Sequence, residues 1–431
     1  MIRTNTLAEV KPAVPGSEPS NQSQWLVLAA AFLGWMFDGL EMGLFSLVAR
    51  PALQDLLRGT ERSEGEIGEW IAYLMALFLL GAACGGLLFG WLGDRMGRVR
   101  SMVLSILAYS GFTGACYFAT EPWHLGILRF LAALGMGGEW ALGVALVVEC
   151  WPERLRPLLA GVIGAAGNVG YLMIGVLVMS FAVTPESWRW TMLVCASPAV
   201  LGFIILAFLP ESKRWQQSVQ RSAAKPIREI FTTRLFWSTL LAVIFASVAL
   251  IGTWGCVHAF LPSWTDQLTS RGGVPNPYAK GTVMVMISIG AIIGCLASPL
   301  IGGRIGRRPA YFGMCLFSLV VCQIMFRFLD HYDWLFLLMA GLAGCGTASF
   351  YGWLPLYLPE LFPTRVRATG QGLSFNFGRI FAMVGVLGTG RLLQFFDGNY
   401  PRACATISLV YVVGMVLIWL APETKGKPLP E

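Results

Sequence analysis

The chain has 431 residues, 56% of them hydrophobic and only 13% charged, with a mean hydropathy of +0.64. Ordinary soluble domains carry about 25% charged residues, and this apolar surplus cannot be buried in one soluble core, so the bilayer must serve as solvent. The net charge of +7 is gathered in connections on one side of that bilayer and gives no argument for nucleic acid.

The first 24 residues are polar and rich in Ser, Pro and Asn. They lack the apolar core and cleavage pattern of a signal peptide and read as a disordered tail. A membrane-crossing helix needs ~20 mostly apolar residues. Twelve stretches qualify, at 25–47, 67–91, 101–119, 123–149, 157–182, 188–209, 235–262, 281–302, 309–328, 334–358, 368–392 and 402–420. The chain therefore reads as an all-α membrane protein of two six-helix bundles, 25–210 and 235–421, with a short tail at 422–431. The linker at 211–234 mixes Lys213, Arg214, Arg221, Lys225 and Arg228 with Trp215, Ile227 and Ile230, which suits a short amphipathic helix on the membrane surface.

The two halves are copies. Gly90-Trp91-Leu92-Gly93-Asp94-Arg95-Met96-Gly97-Arg98 returns, degraded, as Leu300-Ile301-Gly302-Gly303-Arg304-Ile305-Gly306-Arg307, an offset of 306 − 97 = 209. Glu149-Cys150-Trp151-Pro152-Glu153-Arg154-Leu155-Arg156 returns at Glu360 to Arg367, and Pro210-Glu211-Ser212-Lys213 at Pro422-Glu423-Thr424-Lys425, offsets of 211 and 212. Repeated membrane halves around a central site are a transporter architecture. Small residues at close spacing, Gly81, Gly85, Gly86 and Gly90 in the second span and Gly161, Gly164, Gly167 and Gly170 in the fifth, let helices approach.

Lys and Arg crowd the connections that hold these repeats, whereas the longest loop on the other side carries Asp55, Glu61, Glu64, Glu66 and Glu69. The bias predicts that both termini are cytoplasmic. In the repeated turns Asp94, Glu149 and Glu360 stand among Arg95, Arg98, Arg156, Arg304, Arg307, Arg365 and Arg367. Such clusters are expected to act as gates, tying helices together when this face is closed and parting when it opens. Asp94 is placed to meet the positive N-terminal end of a helix from the other half.

The Gly90–Arg98 turn and its echo resemble the signature of the major facilitator superfamily, and the Pro-Glu-Ser-Lys and Pro-Glu-Thr-Lys strings are similar to those of its sugar porters and proton-linked symporters. The resemblance runs from about residue 25 onward and implies the twelve-helix, pseudo-symmetric major facilitator fold. The chain departs from the pattern at Gly303, which stands where the first copy has Asp94, so gating is expected to be unequal between the halves.

Ionisable residues inside a span are costly and functional by default. Asp38 and Glu41 lie three apart on one face of the first span, Glu139 is mid-span in the fourth, Asn168 central in the fifth and Arg379 near the midpoint of the eleventh. A fixed cation at mid-membrane needs an anion, and Arg grips a carboxylate through two parallel hydrogen bonds. Carboxyls taken out of water hold and release protons closer to neutral pH. Arg379 is thus expected to bind a substrate carboxylate or, failing that, to form a permanent pair with Asp38, Glu41 or Glu139. Asn168 and Asn376 are expected to add hydrogen bonds, and Asp38, Glu41 and Glu139 to carry the proton. Trp35, Trp140 and Trp353, with Phe37, Tyr171, Trp254 and Tyr351, are candidate walls. His258 reads as a packing residue, since nothing at helical spacing forms a metal site with it, and the ten cysteines as buried small hydrophobes.

Asp38-Gly39-Leu40-Glu41 resembles the Asp-Gly-x-Asp element in the first helix of aromatic-acid symporters and of the sialic-acid and lactate type, with Glu41 in place of Asp. Gly137-Gly138-Glu139-Trp140 and Asn376-Phe377-Gly378-Arg379 are similar to the same group. The resemblance implies a proton-coupled symporter of small organic anions in the cell inner membrane, working as a monomer in the lipid bilayer. A sugar or polyol carrier is the alternative, and buried Arg379 speaks against it. No catalytic set, metal cluster or cofactor loop occurs in the sequence, so no enzyme, metal or cofactor is expected.

Overall fold

A computed structural model of the protein describes residues 21–57, 64–180, 183–221, 225–271, 278–396 and 399–430. Most of the expected N-terminal tail, with Glu61 of the acidic loop, lies outside the described residues.

All regular structure among them is helical, because in lipid every backbone polar group must be satisfied within its own segment. The first half contains α1 (Asn21–Leu56), α2 (Glu64–Met96), α3 (Arg98–Ala115), α4 (Pro122–Cys150), α5 (Arg156–Ser180), α6 (Trp188–Val194) and α7 (Pro198–Phe208). Two short helices, α8 (Lys213–Arg221) and α9 (Pro226–Ile230), form the linker where the sequence suggested one. The second half contains α10 (Thr233–Gly252), a π-helical turn (Thr253–His258), α11 (Ala259–Arg271), α12 (Ala279–Ile305), α13 (Arg307–Phe328), α14 (Trp334–Leu361), α15 (Arg367–Phe395), α16 (Tyr400–Ile407) and α17 (Val410–Leu417).

These elements make twelve crossings. Eleven stretches among the described residues are long and apolar enough to cross a membrane, and α15, 29 residues long with Arg379 inside it, is the twelfth. The sixth and twelfth crossings are broken at matching places, α6/α7 and α16/α17, and the seventh is α10 and α11 joined by the π-helical turn. Lipid-facing side chains such as Phe203, Ile204, Ile293 and Val416 are exposed, while 89% of the apolar stretch of α4 is buried.

Pseudo-symmetry reaches the backbone. Gly97 and Gly306 end α2 and α12 with φ of 111° and 110°, a left-handed conformation that glycine adopts without steric cost. In both halves a glutamate then seals the turn. Glu211 accepts from the N–H groups of Arg98 (2.8 Å) and Val99 (3.2 Å), and Glu423 from those of Arg307 (3.0 Å) and Arg308 (3.1 Å).

The halves meet along two seams, α2 against α15 and α5 against α12 and α14. The glycines of α2 divide between them: Gly81 and Gly85 approach α4 of their own half, and Gly86 and Gly90 approach α15 of the other. In α5, Gly161 and Gly164 face α12 and α14, and Gly170 faces α1.

Candidate functional site

A cavity lies between the halves at the level of Arg379. Arg379 is twelve residues into α15 and Glu139 eleven from the end of α4. At 1.5 Å per residue both stand roughly 16–18 Å from the basic loops, about half the thickness of the hydrocarbon core. The cavity volume is ≈ 40 Å³, room for two or three waters, so a substrate enters only if the bundles separate. Trp35 from α1, Asn168 and Tyr171 from α5, Tyr351 from α14, and Phe375 and Arg379 from α15 line it.

Arg379 is buried, with its Nη1 lacking any hydrogen-bond acceptor. Among the described residues no carboxylate comes within 4.0 Å of it. The permanent ion pair is therefore not formed, and the guanidinium sits 5.8 Å from the Phe375 ring centroid. On the side away from the basic loops the cavity is capped by Tyr171 of one half against His258 (5.0 Å) and Trp254 (6.1 Å) of the other. Trp254 and His258 belong to the π-helical turn, and both rings line the cavity.

Next to the cavity, Asp38 on α1 and Glu139 on α4 are fully buried, and the Glu139 carboxyl lies against α1 at Gly34, one turn from Asp38. No donor from any other group reaches either one. Two carboxylates only accept, so a hydrogen bond between them requires a proton on one of the two. Gly34 makes this possible, because a Cβ there would overlap the Glu139 carboxyl. Arg379 lies near enough for its field to act on Asp38.

Glu41 belongs elsewhere. It is tied to the buried Arg129 of α4 and accepts from Thr113 Oγ1 (3.1 Å). Arg129 lies over the rings of Phe45 and Phe78, 4.3 and 4.8 Å from their centroids. The sequence reading missed Arg129, whose signal was an arginine inside the apolar string Ile127-Leu128-Arg129-Phe130.

Other expected site residues fall behind the cavity. Asn376 turns from it and donates to Gly137 O of α4 (2.8 Å) and Gly372 O (2.9 Å), fastening a seam. Trp140 stacks behind Phe375 at 3.9 Å. Trp353 packs on Tyr311 and Tyr357 inside the second half. Asn168 lines the cavity and points Nδ2 at Cys295 Sγ across a seam (3.5 Å).

On the basic face a charge network ties the two halves together. Asp94 accepts from the N–H groups of Ala368 (3.2 Å) and Thr369 (2.8 Å) and from Thr369 Oγ1 (2.6 Å), at the start of α15. Arg98 joins Asp94 (2.7 Å), Glu149 (3.1 Å) and Thr364 O (2.7 Å), and Arg367 reaches Glu149 from the opposite half (3.1 Å). Glu360 is held within its own half by Arg307 through two bonds of 2.9 and 2.6 Å. Four expected members stand outside, Arg365 among them, paired with Glu229 of the linker (2.7 Å). Arg95 and Arg304 are exposed, Arg95 lying over Trp91, and Arg156 pairs locally with Glu153 (2.5 Å). Outside the membrane, partial burial pushes the Glu423 carboxyl up, but the N–H groups of Arg307, Lys425, Arg308 and Thr424 hold it below the ordinary value of 4.5.

The profile of the Major Facilitator Superfamily matches residues 24–386. A "Putative metabolite transport protein" of Haemophilus influenzae is 30% identical, over 95% of this chain and 98% of its own length. The "Probable 4-methylmuconolactone transporter" of Cupriavidus pinatubonensis is 28% identical, over 95% and 92%. Relatives at 25–29% identity are named as transporters of cis,cis-muconate (Acinetobacter baylyi), gentisate (Corynebacterium glutamicum) and sialic acid (Escherichia coli). The crystallised proton:xylose symporter XylE shares the fold with a TM-score of 0.77 at 17% identity, covering 95% of this chain and 98% of that one. The twin glycine turns, matching breaks and central seam are thus those of a known architecture, and the chain belongs to the Major Facilitator Superfamily as a multi-pass secondary transporter of the membrane.

Proposed function

We propose that the protein carries a small organic carboxylate across the cytoplasmic membrane together with a proton, by alternating access, with its basic face and both termini in the cytoplasm. The observation that carries this reading is Arg379, a buried cation in an aromatic cavity between the halves with no carboxylate of its own. A substrate carboxylate would supply that partner through two parallel bonds, and Trp35, Tyr351 and Phe375 would hold an unsaturated or aromatic body. The names of the muconate and gentisate relatives are those of such acids, which supports the assignment.

The Asp38–Glu139 pair supplies the coupling. With both carboxyls ionised, Asp38 draws on the field of Arg379 and competes with the substrate. A proton on the pair removes that competition, so proton and anion bind together and leave together. The positive-inside bias supports the orientation, and the network across the halves describes a state closed on the cytoplasmic side.

Binding tests this directly. Tryptophan fluorescence of the purified protein, with Trp35 and Trp254 in the cavity, is titrated with cis,cis-muconate, gentisate, gentisamide and xylose. Saturable quenching by an acid but not by its amide is expected. A response to xylose alone would give the site to a sugar and make Arg379 structural.

A further inference from the structure

A second cavity, of ≈ 270 Å³, opens on the basic face where the start of α5 meets the second half. Its charged lining is Arg154, Arg156, Arg307, Lys425 and Lys427 against Glu153 and Glu360. Both acids are already engaged, Glu153 by Arg156 and Glu360 by Arg307. Among the described residues the charged groups of Arg154, Lys425 and Lys427 form no ion pair within 4.0 Å, and the Lys425 ammonium donates to Arg304 O (2.6 Å). Arg156 is 5% exposed and its Nε has no acceptor.

The repeat explains the surplus. In the first half Asp94 brings a carboxylate to the N–H groups that open α15. Its counterpart is Gly303, and the counterpart of the α15 start is the α5 start. A Cβ at Gly303 would already lie 3.1 Å from Pro157, so no side chain there carries charge to α5. The start of a helix favours an anion, and here the chain provides cations around it instead.

We propose that this cavity binds a phosphate group from outside the chain, in the place that Asp94 fills in the other half. Guanidinium and ammonium groups from separate segments line it, a surplus of positive charge that suits a phosphate dianion. The ligand is either a soluble phosphate compound or the headgroup of an anionic phospholipid. Because Arg154 and Arg156 come from one half and Arg307, Lys425 and Lys427 from the other, the bound phosphate holds the cytoplasmic face closed and favours the outward-facing state. That consequence rests on the alternating-access reading above; the binding itself does not.

The test measures the thermal unfolding midpoint without substrate, so it stands or falls apart from the carboxylate reading. Protein in neutral detergent receives inorganic phosphate or chloride at equal ionic strength, and protein in phosphatidylcholine nanodiscs is compared with and without phosphatidylglycerol. A rise with phosphate identifies a soluble ligand and a rise with phosphatidylglycerol alone a lipid headgroup; either supports the site. In the double variant Arg154→Gln/Lys427→Gln, phosphate should bind about tenfold more weakly, while Arg100→Gln, exposed on the same face, keeps the response. No rise in either arm, or equal loss in both variants, overturns the proposal.

Discussion

Asp38 and Glu139 bury two carboxyls one turn apart along α1 in the membrane interior, with no other donor in reach. Neither is neutralised by a salt bridge, and Arg379 stands nearby without one of its own. If the pair holds the transported proton, Asp38→Asn and Glu139→Gln fix the protonated form. Both variants should exchange substrate across proteoliposome membranes yet fail to accumulate it against a gradient. Accumulation at the wild-type level in both would remove the pair from coupling.

Glu41 should behave differently. Glu41→Gln leaves Arg129 buried beside two aromatic rings without its counter-charge, a loss of about 3–5 kcal/mol. Its unfolding midpoint in detergent should fall well below that of Glu139→Gln, which breaks no ion pair. Equal midpoints would mean that the Glu41–Arg129 pair contributes nothing to the fold.

Asp94→Asn keeps the shape at the start of α15 but removes the charge that the helix end favours. The interaction is worth up to about 2 kcal/mol when partly buried, so the balance should shift towards the cytoplasm-open state by roughly five- to thirtyfold. Distances between spin labels on the two sides of the cytoplasmic mouth report the shift. Transport should slow while substrate affinity is kept, and an unchanged label distance would contradict the gating role.

Glu423 gives a pH dependence with a definite sign. Its folded value lies below the ordinary 4.5, so its stabilisation is complete above that value and is lost as pH falls through the lower, folded one. The group is only partly buried, which limits the effect to about 0.5–1 kcal/mol. The midpoint difference between wild type and Glu423→Gln should be present at neutral pH and vanish in acid. A difference that grows in acid would contradict the assignment.

The twofold plan was legible because its marks are local: Gly97 and Gly306, Glu211 and Glu423, and the apolar runs themselves. The isolation of Arg379 could be framed from sequence only as a choice between a substrate and an internal partner. Which face each helix turns inward was not legible. In lipid an outward side chain is as apolar as an inward one, so no stripe separates them. Asn376, Trp140 and Trp353 were therefore drawn to the cavity by residue type, and the structure turns them to seams and cores. His258 escaped for a different reason, since the π-helical turn changes the register on which helical spacing depends.

The most direct test of the central claim is uptake into proteoliposomes with an alkaline interior, comparing cis,cis-muconate and gentisate with xylose, in wild type and Arg379→Gln. Acid uptake should collapse when the pH gradient is removed. In Arg379→Gln it should require ten- to a hundredfold more substrate, the loss of about 1.5–3 kcal/mol of charge-assisted bonding. Gradient-independent uptake of xylose, undiminished in Arg379→Gln, would contradict the account.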